Sequence, residues 1–298
     1  PAAAALYGTR AANGVIYITT KNGSNSKGWG VSVNSNVFFE SPLKMPDYQN
    51  QYGFGGYGKY SYNGGSTYTG DYYDAFGENW GPRLDGTPIK QFNSDGQAVP
   101  FDAAEGNIRD FFRTGVNATN NIAISHGDEN GDFRLSYTNL NRTGIVPNTD
   151  LTRNILQTSI GRSFKDKLDI RMNGMMVNSG SSNVPNAGYD ESSSIMYSWL
   201  WFPRGVNMAD MQNYWKPGQE NVQQRYVEEL WGNNPYFLVN ENTNSFDSRR
   251  IIGDINATYH FNDQLNFRLR HGADMMNDIR QYRRATSTKG VPFGSFRE

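Results

Sequence analysis

Residues 156–176 read LQTSIGRSFKDKLDIRMNGMM, and their alternation decides the fold. Leu156, Thr158, Ile160 and Phe164 fall on one face of an extended chain. Past the loop Lys165-Asp166-Lys167, the residues Leu168, Ile170, Met172 and Met176 do the same. A period of two is the mark of a β-strand with chemically different faces. Pairing Phe164 with Leu168 brings both apolar sets to one side, and a slip of one residue would send one set to the other. The pattern returns at Phe261-Asn262-Asp263-Gln264-Leu265, with Ile255, Ala257 and Tyr259 before the turn and Phe267 and Leu269 after it. The opposite face is assigned Asn154, Arg171, Asn173, Asp254, Asn256, Asn266, Arg268 and Arg270. Such a face is too polar for a dry core and suits a water-filled lumen.

Further strands are expected at Gly30–Phe39, 116–126 and 132–140, the last two joined by a turn holding Asn130-Gly131. Another strand is expected to begin near Ile279. Short turns therefore fall at 127–131, 164–168 and 261–265. The alternate connections, about 40–115 and 179–250, are long and rich in Gly, Asn, Tyr and Trp, with a medium loop at 141–150. Short turns at one end and long loops at the other mark an outer-membrane barrel. In a soluble domain, loops of this length would count against the assignment.

Composition agrees. The chain has 298 residues, long enough for one or two domains, and a net charge of −1 gives no electrostatic case for a nucleic-acid partner. It has no cysteine, which excludes disulfides and thiolate metal sites. No run approaches the ~20 apolar residues of a spanning helix. A mean hydropathy of −0.70 does not exclude a barrel, whose lipid-facing and lumen-facing residues average out. The abundant Gly, Tyr, Phe and Trp fit a large β structure with aromatic girdles, to which Tyr137, Tyr259 and Phe261 are assigned.

Near the start, residues 5–23 read ALYGTRAANGVIYITTKNG. Taken alone, Pro1–Leu6 is helix-compatible, Gly8 and Asn13-Gly14 are turn residues, and Val15–Thr20 is a β-branched strand. The run also resembles the segment that closes the plug of SusC/RagA-type TonB-dependent outer-membrane transporters. The matching residues include Leu6, Tyr7, Gly8, Thr9, Arg10, Ala12, Asn13, Gly14, Val15, Ile16, Ile18, Thr19, Thr20, Lys21 and Gly23. Residues 42–55, 107–115 and 140–153 are similar to early-barrel segments of the same family. The resemblance implies an all-β fold: part of a transmembrane antiparallel β-barrel, 22-stranded in the family, with residues 1–23 ending the plug and 24–298 opening the barrel. It implies a plug–barrel role for Tyr7, Gly8, Arg10, Asn13 and Gly14, with Arg10 pairing to acids of the wall or plug. It implies import of oligosaccharides or oligopeptides without covalent chemistry or cofactor. The implied partners are a SusD-like surface lipoprotein lid, the TonB–ExbB–ExbD complex and outer-membrane lipid. Residues 1–30 lack a basic start followed by an apolar core, so an export signal is expected further upstream.

Sites of chemistry are sparse. His126, His260 and His271 do not converge, since the register sends His260 and His271 to opposite faces. Asp128-Glu129-Asn130-Gly131-Asp132 falls short of a full calcium-loop pattern and reads as a hairpin. Asp71, Asp74, Glu78 and Asp85 are acids of a solvated loop. Trp80, Trp199, Trp201, Trp215 and Trp231 lie in or beside the long loops, where they are candidates for substrate or lid contact or for the loops' own small cores. The competing reading is a secreted or surface β-rich glycan-binding protein or glycoside hydrolase that uses these tryptophans and the loop acids.

Overall fold

The expected alternation builds a single antiparallel sheet. The computed structural model describes residues 8, 14, 20–24, 28–60, 79–92, 94–227 and 232–290. Seven long strands pair in the order β1 (Gly28–Glu40), β4 (Gly115–Asp128), β5 (Gly131–Thr143), β6 (Asp150–Phe164), β7 (Leu168–Ser181), β8 (Asn244–His260) and β9 (Asn266–Tyr282). A small hairpin of β2 (Pro88–Lys90) and β3 (Ala98–Pro100) lies within the first long loop. The sheet is open, with β1 and β9 as its edges. Among the described residues, no helix is long and apolar enough to cross a membrane.

Both hairpins hold the expected register. Phe164 pairs with Leu168, and Lys165 and Asp166 turn through left-handed backbone at φ 49° and 55°. At the second, the Phe261 N–H donates to the Leu265 carbonyl at 3.0 Å, while Asn262 Oδ1 accepts from the N–H groups of Gln264 and Leu265. An asparagine side chain closes its own turn in this way because it mimics a backbone acceptor.

The strands outrun their apolar cores, since ladder bonds use the backbone whatever the side chain. The long loops therefore shorten to 41–114 and 182–243. No new strand starts near Ile279, because β9 runs unbroken to Tyr282, and His271 lies well inside it. Asn154 is also corrected. It shares the parity of Leu156, and its Oδ1 accepts from the Tyr137 hydroxyl at 2.7 Å, so it lies on the apolar face.

The distribution of polarity is inside out. One face carries Val33, Ile122, Leu135, Tyr137, Leu156, Ile160, Met172, Met176, Ile251 and Phe267, all exposed. The concave face is polar. The buried apolar core lies elsewhere, within the long loops, where Ile108, Phe111, Trp199, Phe202, Met208, Met211, Phe237 and Leu238 pack together. Burying each such side chain is worth about 1.5–3 kcal/mol, enough to fold the loops into a cap rather than leave them as coils. Polar staples fix the cap. Asn234 accepts from the N–H groups of Tyr236 and Phe237 to start the short helix Pro235–Glu241, and its amide donates to the Met211 and Arg225 carbonyls. Arg204, buried, donates to Asn107 Oδ1 at 2.6 Å and Asn50 Oδ1 at 2.6 Å, tying the second loop to the first.

Candidate functional site

The concave wall takes its chemistry from the inward positions of β5 to β9. Several of its charged groups are paired: Arg171 with Asp132, Arg270 with Asp254 at 3.9 Å and Arg250 with Asp274, while His260 hydrogen-bonds Asp169 at 2.9 Å. Asn173 donates to Asp254 at 2.9 Å. Of these groups, Arg171, Asn173, Asp254, Arg270 and Asp274 line an open hollow of about 730 Å³ reached by Thr20 and Asn22. A wall of paired charges and amides stays hydrated, which suits passage of polar solutes.

Asp132 is the most constrained of these residues, and its side chain is buried. Arg171 donates to its two oxygens at 2.5 and 3.2 Å, and the backbone N–H of Gly23 donates to Oδ2 at 3.1 Å. Two glycines make the approach possible. A Cβ at Gly23 would lie 2.3 Å from the Phe133 carbonyl oxygen, and one at Gly161 would lie 2.5 Å from Arg171 Nη2. The segment 20–24 is thus clipped to the wall beside the β4–β5 turn. The sequence placed Asp132 at the hairpin turn and the start of the strand 132–140, without a partner. Its inward parity opposite Arg171 was the available signal. Asp132→Ala leaves a guanidinium and an N–H without their acceptor, so it should cost about 1–3 kcal/mol locally. Amide exchange at 20–24 should quicken while β6 and β7 keep their protection.

The other site residues fall as follows. Gly8 and Gly14 have φ of 73° and 102°, as their turn reading requires. Tyr7, Arg10, Asn13, Trp231, Asp71, Asp74 and Glu78 lie outside the described residues, as do Pro1–Leu6 and 15–19. Trp199 is buried, edge-on to Phe111 at 5.5 Å, and Trp215 packs on Phe237 at 5.4 Å, so both serve the loop core. Trp80 and Trp201 remain exposed, at 62% and 42%. Trp201 Nε1 donates to the Tyr189 hydroxyl at 3.0 Å, and Tyr189 lies 4.9 Å from Tyr197.

Asp190 sets the turn beneath that aromatic group. Its Oδ1 accepts from the N–H and hydroxyl of Ser192, and Oδ2 accepts from the Ser193 hydroxyl. Burial pushes its carboxyl up, but these hydrogen bonds outweigh burial and hold it below the usual carboxylate range. A depressed folded value contributes stability above the unfolded pKa, and that contribution is lost as pH falls through the folded one. Exchange at 189–194, corrected for its intrinsic rate, should therefore rise below about pH 4. Asp190→Asn should flatten that dependence.

Ser163, Asp169 and His260 meet on the wall but do not form a nucleophile–base pair. Ser163 Oγ donates to Asp169 Oδ1 at 2.6 Å and His260 holds Oδ2, so the carboxylate separates the hydroxyl from the imidazole. A serine nucleophile needs the base on its own oxygen. Among the described residues no His, Asp and Glu group could hold a metal ion. Asp128 instead closes its turn, accepting from the Asn130 N–H at 2.8 Å.

The comparisons with known proteins match this picture. The chain is 29% identical over 188 residues to the TonB-dependent receptor SusC of Bacteroides thetaiotaomicron, covering 62% of this chain and 16% of that protein. It is 23% identical over 301 residues to TonB-dependent receptor P3 of Formosa agariphila, covering 98% and 25%. The likeness is to SusC/RagA-type TonB-dependent transporters. Among solved structures, the RagAB peptide importer shares the fold. The TM-score is 0.62 in its closed-closed state and 0.64 in its open-open state, at 17% identity, over 96% and 98% of this chain and 32% of that one. No protein-family profile matches. The chain spans a quarter or less of the length of these curated relatives.

Proposed function

We propose that this chain is the plug exit and early barrel wall of a SusC/RagA-type importer in the outer membrane of a Bacteroidota-like bacterium. The observation that carries the reading is the inside-out sheet: an uncovered apolar face backs a concave wall of paired charges, with short turns at one end and capped loops at the other. Residues 1–23 are assigned to the end of the plug and 24–298 to barrel and loops. Tyr7, Gly8, Arg10, Asn13 and Gly14 are assigned to the plug–barrel junction. In this reading a SusD-like lipoprotein closes over the loop cap. TonB, energised through ExbB–ExbD, draws on the plug, and the 20–24 segment held at Asp132 is where the plug meets the wall. Oligosaccharides or oligopeptides pass without covalent chemistry. The exposed pair Trp80 and Trp201 are the tryptophans assigned to substrate or lid contact.

A soluble glycan-binding protein or hydrolase is disfavoured by the apolar face, since monomeric soluble proteins rarely expose patches beyond a few hundred Å². The test is uptake of labelled oligosaccharides and oligopeptides by cells expressing the full-length gene, with and without functional TonB. Uptake of one class that requires TonB supports the proposal; uptake indifferent to TonB overturns it. Trp201→Ala should weaken uptake several-fold if its ring stacks on the solute or lid, with the barrel folded normally.

A further inference from the structure

Towards the long loops the apolar face of the sheet gives way to a polar row. Following the register from strand to strand, Ser35 pairs with Asn120, Asn120 with Asn139, Asn139 with Asn154, Asn154 with Asn178, Asn178 with Arg249, and Arg249 with Asn277. Every strand of the sheet contributes a polar residue, and five of the seven are asparagine. The row one step towards the short turns is the reverse: Val33, Ile122, Tyr137, Leu156, Met176, Ile251 and Met275. Both rows lie on the same face, because they differ by two residues in every strand.

Two neighbouring pairs of the polar row are hydrogen-bonded, while Asn178 Oδ1 is buried without a partner. Ser35 Oγ donates to Asn120 Oδ1 at 2.7 Å, and Asn139 donates to Asn154 Oδ1 at 2.8 Å. Tyr137 reaches out of the apolar row to the same oxygen at 2.7 Å. Arg249 adds a largely exposed cation, 69% accessible, with Asp247 at 3.2 Å.

We infer that this asparagine row is where the membrane's hydrocarbon ends and that it hydrogen-bonds the polar headgroups of the leaflet on the long-loop side. The inference rests on the barrel reading above and adds the depth at which the barrel sits. Three observations commit it to headgroups. First, hydrocarbon would not accept a row of amides and an arginine, whereas headgroups supply donors, acceptors and phosphate. Second, the height fits. Phe164 and Leu156 bound this face of β6 and are eight residues apart, and the one charge between them, Arg162, sits one row in from Phe164, where it pairs with Asp128 at 3.4 Å and its guanidinium reaches the short-turn interface. At ~3.3 Å per residue and a tilt of ~40°, they span about 20 Å, close to the ~25 Å apolar band of such barrels. Third, Tyr137 has its ring in the last apolar row and its hydroxyl on the polar one, the posture of an interfacial aromatic.

Single nitroxide-labelled cysteines in the full-length protein, reconstituted in phosphatidylcholine–phosphatidylglycerol vesicles, test this. Labels at Leu156 and Ile251 should relax with oxygen far more than with a water-soluble nickel chelate. Labels at Asn120, Asn178 and Asn277 should show the ratio of oxygen to nickel effect fall several-fold. If the asparagine positions give the same hydrocarbon ratio as Leu156, the headgroup inference is overturned and the barrel reading stands. Shielding from both reagents at the asparagine positions would mean a protein partner covers the row, which also overturns it. If Leu156 and Ile251 themselves respond to nickel as freely as to oxygen, the face is in water and the barrel reading falls as well.

Discussion

Met172→Arg should lower the stability of the full-length barrel by about 2–4 kcal/mol, the cost of an arginine near the bilayer midplane. Met172 lies on the uncovered face, in the row that joins Ile160 and Ile255 across β6, β7 and β8. That row sits between the aromatic rim at Phe164 and Phe267 and the asparagine row at the other end. Depth should therefore grade the effect. Phe267→Arg, in the rim row, should cost only about 0–1 kcal/mol because the guanidinium reaches the interface. On the inward face, Arg268→Ala should be mild, within about 0.5 kcal/mol, since the residue is exposed and is hydrogen-bonded to Thr258 Oγ1 at 3.3 Å. Urea unfolding in vesicles of defined thickness measures all three. Equal costs for Met172→Arg and Arg268→Ala would show that the outward face does not meet lipid.

The second large effect concerns the cap. Phe237→Ala should remove about 3–5 kcal/mol from the folded loops, as for other buried phenylalanines. Its ring is fully buried and touches Trp215 and Tyr214, with centroids at 5.4 and 6.4 Å. It also follows Asn234, whose side chain starts the helix that carries it. The loss should appear as rapid protease cleavage within 182–243 while the strands stay protected. Val222→Ala, at a position 63% exposed in the same loop, should leave the cleavage rate nearly unchanged. If Phe237→Ala leaves it unchanged too, the loops do not fold as one cooperative cap.

Strand order, hairpin register and the lumen-facing charges were legible in residues such as Phe164, Leu168, Arg171 and Asn256 because a period of two is a local property. The one error of parity, Asn154, came from assigning a face by polarity rather than by count. The rule that polar residues face the lumen fails at the asparagine row, where the outside itself becomes polar. The loops were harder to read. That Trp199 and Trp215 are buried while Trp80 and Trp201 are exposed depends on which segments meet in the cap. Those contacts join residues such as Asn107 and Arg204, far apart in the chain.

The sequence alone determined an antiparallel sheet with two chemically different faces, short turns at one end and long loops at the other. All of these are set by neighbouring residues and turn chemistry. The tertiary structure decided that the loops own the buried core, that Gly23 is clipped to Asp132 across 109 residues, and that polar residues from seven strands fall into one row. Each of these needs the register between strands or the packing of distant segments, and no local pattern carries that information.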